Sequence, residues 1–195
     1  MNMNKPNINI ETKRLLIGNL SEKDHDPYMN LRASNSDISV VYEKMPDFQD
    51  FEFVSELNSE DDIYLSVYRK SDSVFVASAS IQNYTSDVLE LGYDVVEKYR
   101  NQGIATEIVE ALLQEAHSLF KDKKIIVKIN NDNEASKKVA EKCGGKFIKY
   151  DDSPISKALA VFANNPDYKS AEVDSQEISM AIQRGSDAVS IYEMP

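Results

Sequence analysis

The segment Arg100-Asn101-Gln102-Gly103-Ile104-Ala105 joins an extended apolar run, Val88 to Val96, to a helical pattern that reaches about Phe120. A strand entering a helix through such a turn aims several unpaired backbone N–H groups at one point, and the helix dipole makes that point positive. The chemistry this suits is the binding of an anion, a phosphate above all. Gly103 matters because a Cβ there would keep the backbone away from the anion. A glycine at a strand-to-helix turn also has a purely structural use, so the loop alone leaves both readings open. Two other nucleotide patterns, Gly-x-x-x-x-Gly-Lys-Ser/Thr and Gly-x-Gly-x-x-Gly, do not occur in the chain.

The elements around the loop follow from periodicity. Thr12 to Leu20 reads as a strand with Leu15 and Ile17 on one face, and Ser21 then caps a helix to about Ala33, with Asp24 completing a capping box. A second helix is expected from about Asp47 to Leu57, with Phe48, Phe51 and Val54 at helical spacing. Ile63–Tyr68 and Val74–Ile81 form a hairpin about the turn at Arg69–Ser73. In the helix after the loop, Ile104, Ile108, Leu112 and Ala116 recur every four residues, and Val109 and Leu119 widen the stripe. Lys124–Ile129 is an interior strand. Asn133 opens a helix with Ala135, Val139 and Cys143 facing inward, which Gly144-Gly145 ends. Lys146–Tyr150 and Glu177–Ile182 complete the strands. Residues 152–171 are irregular, with a short helix around 156–163, and residues 185–195 are expected to be a poorly tied tail. The order β-α-α-β-β-β-α-β-α-β-β predicts a mixed α/β fold, one sheet with helices on both faces.

The chain has 195 residues, 42% of them hydrophobic, enough for one domain with a real core. Its formal net charge of −11 argues against a broad nucleic-acid surface and fits a small cationic partner. An anionic cofactor must then be held by local dipoles and a few cations. One cysteine, Cys143, excludes an internal disulfide and fits a reducing cytoplasm, and two histidines exclude a His-rich metal site. His25 and His117 read as surface residues. Neither a signal peptide nor an apolar run of membrane length is present in the sequence.

The pattern Arg-x-x-Gly-x-Ala after this strand resembles the coenzyme A pyrophosphate loop of the GNAT superfamily of N-acetyltransferases. Further residues carry the likeness: Tyr93-Asp94-Val95 before the loop, and Asn133, Ser136 and Gly144 at the spacing of the family's next helix. ETKRLLI and LELGYDV look like the subgroup that acetylates the N-termini of ribosomal proteins. The resemblance is good over about 10–150. It implies a single domain over 1–195 (core about 10–184) with a mixed, mostly antiparallel sheet. It further implies acetyl-CoA as donor, a primary amine as acceptor, and direct transfer without a covalent enzyme intermediate.

On that resemblance, Tyr93, Asp94 and Val95 line the pantetheine, and the Val95 N–H is the donor to the thioester carbonyl. Arg100, Asn101, Gln102, Gly103, Ile104, Ala105 and Thr106 take the pyrophosphate, Arg100 through its charge. Asn133 and Ser136 lie beside the cofactor. An amine attacks only as free base. Glu90 is the candidate acceptor of its proton, against the bland reading of a wet strand residue, with Asp151 and Asp152 in reserve. The family commonly places a Tyr four residues after the serine, but this chain has Ala140 there. Ser136 is the replacement donor to the leaving thiolate, or else only caps its helix or contacts the cofactor. No metal is implied.

Between Met45 and Tyr68 there are acidic residues but no Lys or Arg. As a rim of the acceptor site these would draw a cationic amine or a basic protein N-terminus; otherwise they are a solvated face. Two rival classes stay open. One is a GNAT-fold acyl-CoA sensor or structural protein with weak catalysis; the other is a nucleotide-binding protein gripping a different diphosphate. A monomer or homodimer, with neither nucleic acid nor membrane as partner, completes the expectation.

Overall fold

A computed structural model describes residues 5–35, 46–151 and 189–195. The strands are β1 (Asn9–Glu11), β2 (Leu15–Asn19), β3 (Ile63–Arg69), β4 (Val74–Gln82), β5 (Val88–Val95), β6 (Lys124–Asn130), β7 (Lys146–Asp151) and β8 (Val189–Glu193). The helices are α1 (His25–Asn35), α2 (Pro46–Leu57), α3 (Ile104–Leu119) and α4 (Glu134–Lys142). Among the described residues the strands form one eight-stranded sheet in the order β1-β2-β3-β4-β5-β6-β8-β7. Every pairing is antiparallel except β5 with β6. The mixed, mostly antiparallel sheet is thus the one expected.

Helices cover both faces. Leu89, Leu91 and Val95 of β5 pack with Ile104, Ile108 and Leu112 of α3 in one apolar cluster, joined by Ala140 of α4. On the other face, Tyr28, Met29 and Leu31 of α1 and Phe53 of α2 gather around Phe75, with Tyr64 and Tyr68 against them. Strand alternation divides β5 accordingly: Leu89, Leu91, Tyr93 and Val95 face α3, while Glu90, Gly92 and Asp94 face the α1–α2 side. β4 runs between these layers, and seven of its nine residues are buried. Its Ala and Ser side chains keep both layers close.

Capping follows the sequence where the pattern is strong. The Ser21 N–H donates to Asp24 Oδ2 at 2.9 Å and the Asp24 N–H donates to the Ser21 carbonyl at 2.9 Å. The Tyr68 hydroxyl also donates to Asp24, at 2.5 Å, and the carboxylate is fully buried.

Several expectations change. The strand expected at 177–182 and the irregular stretch at 152–171 lie outside the described residues. The expected tail contains β8, which inserts between β6 and β7 and buries Val189, Ile191, Tyr192 and Met194. A five-residue strand beside a chain end lacks length, but its apolar residues fill a slot that the sheet needs filled. On α4 the inward face is Val139, Ala140 and Cys143 with Ser136, and Ala135 is exposed, a rotation of one residue. On α2, Phe51 and Val54 are exposed and Phe53 is buried, and Leu119 at the C-terminal end of α3 is exposed too. An edge strand, β1, precedes those expected. No described helix is long and apolar enough to cross a membrane.

Candidate active site

β5 and β6 pair in parallel only at Val88–Lys124, Leu89–Ile125 and Glu90–Ile126. Beyond that they diverge. A cleft of about 200 Å³ opens there, lined by Glu90 to Tyr93, Val127 to Asn130, Asn133 and Ser136. Val96 N–H donates to the Val76 carbonyl at 3.0 Å, toward β4. Successive amides of an extended chain point to opposite edges, so the N–H groups of Val95 and Tyr93 point toward the open side.

The loop after β5 bends sharply. A 3-10 turn spans Glu97–Tyr99, and Asn101 and Gly103 take left-handed φ values of 60° and 74°. Gly103 is the N-cap of α3, and Asn101 to Gly103 are exposed. The backbone therefore presents the first amides of α3 to solvent beyond the end of the cleft. Arg100 donates from Nε to the Val95 carbonyl at 3.0 Å and braces strand to loop. Gln102 donates its side-chain amide to the Lys98 carbonyl at 3.0 Å. Thr106, in the first turn of α3, is buried, with its carbonyl 4.0 Å from Cys143 Sγ at the end of α4.

Residues outside the expected set fix this loop. Thr12 Oγ1 and the Arg14 N–H donate to Glu107 Oε1 at 2.6 and 2.9 Å, and Arg14 Nε donates to Oε2 at 2.6 Å. Arg14 also donates from Nη1 to the Gln102 carbonyl at 2.8 Å. Burial works to raise the Glu107 pKa, but the bonds from Thr12 and Arg14 outweigh it and hold the carboxyl below its ordinary value. A carboxylate in the first turn of α3 would repel a bound anion, and Arg14 neutralises it. The signal was in the sequence: an acid in the first turn of an anion-binding helix calls for a cation elsewhere.

Glu90 lies in the cleft and is not simply wet. Lys128 Nζ pairs with its Oε2 at 2.5 Å, both side chains more than two-thirds buried. Lys128 went unnoticed because strand alternation alone does not show which β6 residue meets Glu90. Asn133 is the cap of α4: its Oδ1 accepts the Ser136 N–H at 3.0 Å. That relieves the Ser136 hydroxyl of the capping role. Ala140 is buried and supplies no hydroxyl. Asp151 lies on β7, at the far side of β8 from β6, so it does not reach the cleft; Asp152 lies outside the described residues.

The acidic stretch is largely engaged. Glu52 and Glu56 meet Arg32 at 3.0 and 3.7 Å, and the Tyr28 hydroxyl donates to Glu56 at 2.6 Å. Burial pushes the Glu56 carboxyl up. Asp50 bonds His25, Asp61 accepts from Thr85, and Asp62 accepts the Asn83 N–H. The expected acidic rim is thus mostly a set of internal partners.

This sheet, split between β5 and β6 and ending in a glycine-turned helix start, defines an acyltransferase fold. Residues 14–146 match the family described as Acetyltransferase (GNAT) domain, and the chain belongs to that family. No curated protein matches the sequence. Among solved structures, a GNAT acetyltransferase from Bacillus anthracis is 19% identical, with 96% of this chain and 98% of that chain covered at a TM-score of 0.64. A spermidine N-acetyltransferase from Vibrio cholerae, solved with CoA and spermine, is 11% identical over 94% of this chain and 96% of that one, at 0.66. A provisionally assigned ribosomal-protein-serine acetyltransferase from Vibrio cholerae is 13% identical, with 96% and 98% covered at 0.63. At these identities the structures share the fold alone.

Proposed function

We propose that this acyltransferase moves an acetyl group from acetyl-CoA to a primary amine by direct attack while both are bound. The observation that carries the proposal is the loss of β5–β6 pairing beyond Glu90 and Ile126. It leaves backbone amides for the pantetheine on the strand that leads into the loop 100–105. The amides of Gln102 to Ala105 take the pyrophosphate, and Asn133 and Ser136 flank the chain below it. The Val95 N–H, directed to the open side, donates to the thioester oxygen as it becomes an oxyanion.

Glu90 receives the amine's proton, directly or through water. Its carboxylate is held by Lys128 in the resting state, so the pair must loosen as the amine enters. With Asp50, Glu52 and Glu56 of α2 engaged by His25, Arg32 and Tyr28, the acceptor class rests on the family chemistry and on the cationic substrates of relatives more than on a free acidic rim. A small cationic amine or a protein N-terminus fits.

The test is twofold. Acetyl-CoA should raise the melting temperature while NAD and ATP do not. Free thiol should then appear with at least one member of an amine panel, and Glu90→Gln should cut that turnover by about 10²-fold or more. Donor binding without turnover on any amine favours an acyl-CoA sensor; equal stabilisation by ATP or NAD favours another diphosphate ligand.

A further inference from the structure

The Tyr93 hydroxyl is buried and has no hydrogen-bond partner, although the residue lines the cleft. Folded chains rarely leave such a group unsatisfied, because its lost hydration is not repaid. The neighbouring residues do not repay it. Ser136, on α4, approaches closely enough to lower the phenol's pKa as a hydrogen-bonding group, yet the pair does not reach hydrogen-bond geometry. Tyr93 has the apolar cluster of α3 and α4 behind it. Its oxygen is therefore set toward a group that arrives with a ligand.

Strand geometry says which group. Tyr93 and Glu90 project from opposite faces of β5. The cleft runs between β5 and β6 and is lined from both sides. A thioester lying in it meets a carboxylate from one side and a phenol from the other, with strand amides along its edge. The strand amides serve the carbonyl oxygen and Glu90 serves the incoming amine. The sulfur is left for the phenol.

Resting on the acetyl-CoA reading above, we propose that the Tyr93 hydroxyl donates a hydrogen bond to the thioester sulfur and holds the thiolate as it leaves. The amine nitrogen bonds to the acyl carbon, the C–S bond breaks, and its electron pair stays on sulfur. The proton given up by the amine goes to Glu90. Tyr93 keeps its own proton throughout, because a thiol of pKa about 8.5 leaves readily as an anion near neutral pH. Burial raises the phenol's pKa, Ser136 draws it partly back, and Cys143 and Asp94 push it up again. The hydroxyl therefore remains a donor over the working range. Tyr93 is in this way a catalytic residue through its side chain, in addition to any backbone contact with pantetheine.

Tyr93→Phe separates this role from a structural one. Removing an unpaired buried hydroxyl leaves the ligand-free melting temperature unchanged or higher. With the best acceptor from the amine panel, kcat should fall by about tenfold or more, since a hydrogen bond to a charged group is lost, while the dissociation constant for acetyl-CoA stays within about twofold. A second readout needs no acceptor: the ultraviolet thiolate absorbance of bound CoA, referenced to the desulfo-CoA complex. It should appear about one pH unit higher in the variant than in the wild type. An unchanged kcat and an unchanged thiolate titration overturn the proposal, as does a lowered ligand-free melting temperature. Wild-type protein that binds no acetyl-CoA overturns the cofactor reading itself, an outcome distinct from a bound cofactor indifferent to Tyr93.

Discussion

Glu107 is an acid at the site of a proposed anion, and its consequences can be worked out residue by residue. Its carboxylate is held by Thr12, the Arg14 backbone and the Arg14 guanidinium, and the same guanidinium grips the Gln102 carbonyl. Glu107→Gln removes a charge that repels phosphate, but it also weakens the grip that fixes Arg14 on the loop. If charge alone mattered, the variant would bind acetyl-CoA more tightly. The guanidinium's bond to Glu107 and its bond to the Gln102 carbonyl argue for loop geometry. We expect the variant to raise the dissociation constant for acetyl-CoA about three- to tenfold, the scale of one charge-assisted bond partly lost. kcat at saturation should change little. Calorimetric titration beside steady-state kinetics separates the two outcomes, and tighter binding would mean that repulsion dominates.

Elements were legible where one period ruled them, and less so where packing decided. The stripe of α3 and the hairpin β3–β4 could be read because 3.6- and 2-residue repeats leave little choice of face. The loop 100–105 was legible from a glycine between two such elements. β8 was not, because five residues carry no long period and only the gap between β6 and β7 selects them. Lys128 and Arg14 escaped for a related reason: each meets its acid across strands or layers, a relation that sequence distance conceals. The pair α1–α2 shows how such contacts set stability. His25 bonds Asp26 on its own helix and Asp50 on α2, both at 2.9 Å, and the Asp26 bond first, with Asp50 adding, raises its pKa while partial burial opposes. A histidine whose folded pKa is raised stabilises the fold fully below its unfolded value of about 6.5 and loses that contribution as pH climbs through the folded value. The melting temperature of the wild type should therefore fall, relative to His25→Gln, between about pH 6 and pH 8. Parallel pH profiles of the two proteins would exclude the linkage.

At the scale of the whole molecule the net charge of −11 opposes an anionic cofactor. The loop answers with short-range features: oriented amides, and Arg14 and Arg100 braced by their own bonds. These act within a few ångströms, whereas the net charge acts over the Debye length, about 30 Å at 0.01 M salt and about 8 Å at 0.15 M. Screening therefore removes the repulsion before it touches the grip. The association rate constant for CoA should rise as salt increases from 0.01 to 0.15 M, the reverse of what a basic binding surface gives. The dissociation rate should move less, because the proposed contacts at Gly103 and the first amides of α3 form at hydrogen-bond distance, well inside the Debye length. Stopped-flow mixing at the two ionic strengths measures both constants. An association rate that falls with salt would show that a local positive field reaches beyond the cleft and steers the cofactor in, despite the acidic chain around it.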